Sequence, residues 1–152
     1  MKKINNETKF TITKEELTKR YYYNNVPLPT IKETRKWCKA LRSGEYKQGT
    51  GRLQKGDSFC CLGVACKEFI PEEHIEFSAI TYKGIKVMGG SVASCQPHSP
   101  KWLRRVSSIV SKFTDVGLTT LNDDVNLTFD EIADILEAIF IYNVFEIDKQ
   151  EK

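Results

Sequence analysis

No stretch of the 152 residues approaches the roughly 20 consecutive apolar side chains that a membrane-spanning helix requires, so a membrane protein is not expected. The opening Met1-Lys-Lys-Ile-Asn-Asn6 is charged but lacks an apolar h-region, so no secretory signal is expected either. There are only two histidines, His74 and His98, and they stand isolated. The adjacent pair Cys60-Cys61 has poor zinc spacing and no C-x-x-C knuckle to complete a site, so no metal and no cofactor are expected. Gly49-Thr-Gly51 is not followed by a phosphate-loop or dinucleotide fingerprint. Internal repeats and low-complexity tracts are missing. The five cysteines are odd in number and three crowd one segment, which fits buried reduced thiols in a cytoplasmic protein better than a disulfide framework.

What is there is an ordinary globular composition, 40% hydrophobic and 28% charged, with a net charge of +3 that is unevenly spread. From Thr128 to the end, seven acidic residues face two basic ones. Lys32 to Lys55 carries eight basic and two acidic residues, and Lys101 to Lys112 four basic and none acidic. Two basic segments suggest an anionic partner, the alternative being solvated helix faces. With no recognised DNA- or RNA-binding motif, nucleic acid is an unlikely partner.

The pattern predicts an α+β fold, about four helices packed on two small antiparallel hairpins in a single domain, with Met1 to Thr11 and Ile147 to Lys152 poorly ordered. Capping boxes at Thr13–Glu16, Thr30–Glu33 and Thr128–Glu131 open three of the helices. The second carries a buried stripe of Ile31, Thr34, Trp37, Cys38 and Leu41 under a basic exterior, and closes at Ser43-Gly44. Pro100 opens a helix over Lys101 to Lys112, and Phe129 to Phe140 forms the last. Hairpins are expected around Lys55-Gly56-Asp57 and around Lys83-Gly84. Three tyrosines in a row, Tyr21 to Tyr23, either pack over the rim of the core or edge an interface.

The organising stretch is Ser43 to Phe69, where Gly44, Gly49, Gly51 and Gly56 mark turns before a short buried helix that starts at the paired cysteines. Tyr46, Gln48, Gly49, Gly51 and Arg52, with Arg42 just upstream, supply an aromatic face, an amide, guanidinium groups and exposed backbone N–H donors. These are the parts needed to hold a phosphate and stack a base. Asn122 and Asp123 could bond a ribose or a base edge, or satisfy the turn before the last helix. An enzymatic alternative uses Cys60 or Cys61 as a thiol of lowered pKa at the helix N-terminus, with Gln48 or Gln54, His98 and Asn122 in papain-like order. The opposing reading makes these thiols small core residues.

Three motifs stand together: Trp37 with Ala40 to Leu53, Phe59 to Cys66 (FCCLGVAC), and Leu121-Asn-Asp123 followed by TFDEIADIL to Leu136. The combination resembles a family of small proteins of tailed bacteriophages and prophages, and more distantly a bacterial domain of unknown function. The resemblance carries no settled activity. It implies phage origin and a host-facing accessory role in the infected bacterial cytoplasm. Joined to the basic, glycine-rich loop, it leads to the expectation of a non-catalytic protein that sequesters a small phosphorylated nucleotide, a host immune signal, as a homo-oligomer with shared pockets. A protein inhibitor of a host enzyme, acting through the basic helix faces and the tyrosines, is a further alternative.

Overall fold

The first helix described, α1 (Ile31–Arg42), is set by its N-terminus. Thr30 Oγ1 accepts from the Glu33 amide at 3.0 Å, and the Glu33 carboxylate accepts from the Thr30 amide at 3.0 Å. The capping box read from the sequence is therefore formed, and it satisfies two donors that a helix start would leave orphaned. The structure is a computed structural model that describes residues 28–71, 73, 87–88 and 99–141. The capping box at Thr13, the tyrosine triplet and His98 lie outside the described residues, as does most of the hairpin expected around Lys83-Gly84.

α1 buries Thr34, Trp37, Cys38, Ala40 and Leu41, while Ile31, expected in that stripe, is 51% exposed. It falls on the first turn, ahead of the elements that cover the rest of the face. Lys32, Arg35, Lys36 and Lys39 are exposed on the outside. Ser43 closes the helix by donating from Oγ to the Ala40 carbonyl at 2.7 Å, and Gly44, at φ 80°, turns the chain away.

β1 (Lys47–Gln48), β2 (Gln54–Lys55) and β3 (Ser58–Phe59) follow at once. β2 and β3 form the antiparallel hairpin predicted around Gly56, which takes φ 62° at the turn. β1 lies parallel to β3, with Lys47 opposite Ser58 and Gln48 opposite Phe59. β4 (Val87–Met88) pairs antiparallel with β2, giving the sheet order β1-β3-β2-β4.

α2 (Cys61–Phe69) starts directly from β3 and buries every residue from Cys61 to Cys66. Gly63 is what lets it lie against the hairpin, since a Cβ there would sit 1.7 Å from the Leu53 carbonyl oxygen. α3 runs from Val106 to Thr114, later than Pro100 led one to expect. Lys101 to Arg105 instead makes tight turns, with Leu103 bonding back to Pro100 and Arg105 to Trp102. α4 (Leu118–Asp123) occupies what the sequence suggested was a turn, and α5 (Phe129–Phe140) opens on the predicted Thr128–Glu131 capping box. The described residues thus hold five helices and one small sheet, an α+β arrangement.

The core lies where α1, α2, α3 and α5 meet. Trp37 stacks on Trp102 at 5.6 Å between centroids, and Phe69 meets Trp102 edge-on at 5.4 Å. The Trp37 indole N–H donates to the Cys61 carbonyl at 3.0 Å, tying α1 to the first turn of α2.

Candidate ligand-binding site

A hollow of about 500 Å³ opens beside the hairpin turn, lined by Gly49, Thr50, Arg52, Lys55, Gly56, Asp57 and Ser58. Its walls come from two places that the sheet brings together. The parallel pairing of β1 with β3 sets the Gly49 turn against Ser58, and the hairpin contributes Lys55, Gly56 and Asp57. The approach is close, for a Cβ on Gly49 would stand 2.8 Å from Ser58 Cβ. Gly49 N–H is committed to the Phe59 carbonyl at 2.7 Å. Gly51 takes φ 79°, a left-handed conformation that glycine adopts without steric cost. Arg52 is exposed, and both hydroxyl residues, Thr50 and Ser58, lie on the rim or wall.

Of the residues singled out in the sequence, Gly49 and Arg52 line this hollow, and Gly51 lies between the lining residues Thr50 and Arg52. The others are held elsewhere. Arg42 forms ion pairs with Asp134 at 2.5 Å and Glu137 at 2.6 Å on α5. The bond to Glu137, with Asp134 behind it, raises its already high pKa. Tyr46 lies half-buried with its ring edge-on to Phe59 at 5.1 Å, and its hydroxyl donates to Glu68 at 2.7 Å. Burial and the Glu68 carboxylate push that hydroxyl's pKa up. The ring is therefore packed on the sheet and does not line the hollow.

Gln48 and Asn122 are brought together, but in the interior. Asn122 is fully buried. Its Oδ1 accepts from Gln48 Nε2 at 3.0 Å and from the Cys61 amide at 3.3 Å. Its Nδ2 donates to the Gly49 carbonyl at 2.8 Å and to Asp123 Oδ1 at 2.7 Å. Gln48 Nε2 also donates to the Leu127 carbonyl at 2.8 Å, and its Oε1 accepts from the Phe129 amide at 3.2 Å. Every donor of the two amides is used, and both oxygens accept. Cys61 and Phe129 are the first residues of α2 and α5, so the pair caps two helix starts with side chains from distant elements. The network's reach toward the hollow is the Gly49 carbonyl, which Asn122 fixes in place. Asp123 is half-buried against Asn122.

The thiols face inward. Cys60 is the N-cap of α2 and its sulfur accepts from the Gly63 amide at 3.4 Å, while Cys61 Sγ lies 3.9 Å from the Leu118 carbonyl. The lowered thiol pKa that the enzymatic alternative required is not found, and the thiols are buried as the core reading had it. Burial raises Cys60 and raises Cys61 further, and it outweighs the amide hydrogen bonds that act the other way. Desolvation wins because the helix start is sealed under α4. Among the described residues there is no cluster of three or more His, Cys, Asp or Glu that could hold a metal ion, and no helix long and apolar enough to cross a membrane.

Sequence reasoning missed Thr50, Lys55, Gly56, Asp57 and Ser58 as lining residues. The hairpin turn itself was legible and placed Lys55 to Asp57 at its tip. The parallel strand that sets the Gly49 turn against that tip depends on a tertiary pairing with no local signature.

Residues 29–140 match the family described as a domain of unknown function (DUF8296), and the chain belongs to that family. No curated protein and no solved structure matches the chain.

Proposed function

We propose that this is a phage-encoded, non-catalytic binding protein that sequesters a small phosphorylated nucleotide, a signal of the host's immune response, in the hollow between the Gly49 turn and the Lys55–Ser58 hairpin tip. The observation that carries the reading is the lining of that hollow: the exposed Arg52 guanidinium and two hydroxyl residues on a glycine-bearing backbone, with Lys55 and Asp57 also in the wall. A guanidinium offers paired donors to phosphate oxygens. Phage origin rests on the sequence resemblance. The position of Tyr46 confines the reading to the phosphate end of the ligand, because the stacking surface for a base is not supplied by that ring. Hydrolysis by Cys60 or Cys61 is disfavoured by their burial, which holds both as neutral thiols.

Isothermal titration calorimetry against cyclic nucleotides, nucleoside monophosphates and ADP-ribose tests the proposal. At least one should bind more tightly than about 10 μM, roughly 7 kcal/mol, and Arg52→Ala should weaken it at least tenfold. Absence of any such binding by the intact chain overturns the reading. The sequestering form is taken to be a homo-oligomer, and light scattering at the calorimetry concentration should return a mass above the 17.4 kDa of one chain.

A further inference from the structure

The solvent sides of α1 and α5 carry opposite charge. Apart from Ile31, every residue that α1 exposes is a cation: Lys32, Arg35, Lys36, Lys39 and Arg42. α5 exposes Asp130 and Asp134, and Glu137 is half-buried beside them. The two helices lie side by side and parallel. Cys38 Sγ meets the Ala133 carbonyl at 3.4 Å, and one turn further along both helices Arg42 meets Glu137 at 2.6 Å. The Arg42 ion pairs with Asp134 and Glu137 are partly exposed, so the basic and acidic strips open on the same side of the molecule with that seam between them. We infer that this face is a homodimer interface, in which a two-fold axis along the seam lays the basic strip of α1 on the acidic strip of α5 in a second copy of the chain.

Each strip is self-repelling alone and matched by the other. Lys32 with Lys36, Arg35 with Lys39, and Asp130 with Asp134 are like charges four residues apart, a spacing at which helix neighbours repel. Within one chain Arg42 answers Asp134, and Lys36 lies 5.1 Å over the Phe69 ring. Lys32, Arg35, Lys39 and Asp130 have no ion-pair partner among the described residues. The two contacts that set the helices side by side both join residues 95 apart in sequence, which puts Arg35 level with Asp130 and Lys39 level with Asp134. A rotation about the seam keeps these levels and exchanges the strips, so each charge meets its opposite in the second copy, and every such contact forms twice. A uniform polyanion fits this face less well. Nucleic acid or an anionic bilayer drawn to the lysines would meet Asp130 and Asp134 beside them. α1 also keeps its apolar side in the core and has none to insert into lipid. Two helices of 12 residues present a face about 18 Å long and about 20 Å wide, small for a stable interface, so the dimer belongs to the weak, salt-sensitive class.

Light scattering and sedimentation of the full chain at about 100 μM in low salt should return a mass approaching twice the 17.4 kDa of one copy, and raising the salt to about 0.5 M should weaken the dimer at least about tenfold. Arg35→Glu and Asp130→Lys each place two like-charge contacts in the dimer, and each should weaken it at least about tenfold. Mixed in equal amounts, the two variants should pair with each other to within about threefold of the wild-type affinity, because each then offers the other a complementary strip. Where a thermal melt shows either variant misfolded, Lys39→Glu and Asp130→Asn read the same two strips and should weaken the dimer at least about threefold. A wild type that is monomeric at this concentration, or a dimer indifferent to salt and to these substitutions, overturns the interface, as does a mixture of folded variants that stays monomeric. A monomer that retards duplex DNA in a gel overturns it in favour of a phosphate surface. The calorimetric titration of the hollow decides the nucleotide reading separately, since neither strip lines it.

Discussion

At the scale of the single residue, the uncharged Asn122 ties together elements far apart in the chain. It is sealed from solvent and joins the Gly49 turn, the start of α2 and Gln48 through three hydrogen bonds, with a fourth to its neighbour Asp123. Asn122→Asp preserves the shape but replaces the donating nitrogen by an oxygen. The Gly49 carbonyl then loses its donor, and a carboxylate is forced to face Asp123 in the interior. We expect a loss of roughly 3 kcal/mol or more, because several buried partners are orphaned at once. Urea unfolding with an unchanged slope should report it, and a loss under about 1 kcal/mol would contradict the network's importance. Gly63 makes a second case in which magnitude decides. Alanine at a helical position gains about 1 kcal/mol over glycine from backbone propensity. At Gly63 that gain competes with a Cβ placed 1.7 Å from the Leu53 carbonyl oxygen. Overpacking of that severity costs about 3 kcal/mol or more, so Gly63→Ala should be destabilising on balance, which thermal melting would detect as a lowered Tm.

At the scale of the element, two modes of helix capping coexist. α5 is capped locally by Thr128 and from a distance by Gln48, which accepts from the Phe129 amide while donating to the Leu127 carbonyl. Thr128→Ala should cost about 1 kcal/mol, the ordinary value for an N-cap. Gln48→Ala should cost more, since it also strips Asn122 and Leu127 of a partner. Chemical denaturation of the two single variants checks the order, and the reverse ranking would argue against the distant cap. The same contrast explains what could be read in advance. The Thr30 and Thr128 capping boxes and the Gly56 hairpin depend on residues three or four apart, and these formed as expected. α4 has no such signal: its N-cap is Gly117, with no side-chain cap, and its first amide, Leu118 N–H, is taken up by Ser107 Oγ at 2.9 Å. Its existence is a consequence of α3 lying beside it. The candidate site was legible in part for the same reason. The glycine-rich turns and Arg52 were visible locally, whereas the pairing of Gln48 with Asn122, 74 positions away, diverted two of the expected ligand groups into the interior.

At the scale of the whole molecule, the buried thiols give the fold a common alkaline weakness. Cys38 on α1 is buried against α5, its sulfur 3.4 Å from the Ala133 carbonyl, and Cys60, Cys61 and Cys66 are buried at the start and through the middle of α2. Desolvation, reinforced by the nearby Glu137 carboxylate, pushes Cys38 from 9.0 up to about 12. Cys60 is raised and Cys61 raised further, in each case chiefly by burial. In the unfolded chain these thiols return to the ordinary value for cysteine. A folded-state pKa above the unfolded one means that the native state holds the proton more tightly. For Cys38 the stability from the neutral thiol is therefore fully present below about pH 9 and is lost as the pH climbs toward 12, and Cys60 and Cys61 act in the same direction. A thiol of this kind can remove up to about 1.4 kcal/mol per pH unit within that window, a sizeable share of the total stability of a small domain. Tyr46 acts in the same direction above the ordinary tyrosine range, but its partial exposure reduces its share. Urea midpoints measured at pH 7, 9, 10 and 11 should hold nearly steady to pH 9 and then fall steeply. Cys38→Ala should start from a lower midpoint, because it leaves a cavity between α1 and α5, yet decline less steeply by the share of one thiol. A flat profile from pH 9 to 11 would contradict the burial of the thiols, and with it the arrangement that keeps α2 sealed beneath α4 while the hairpin tip faces solvent.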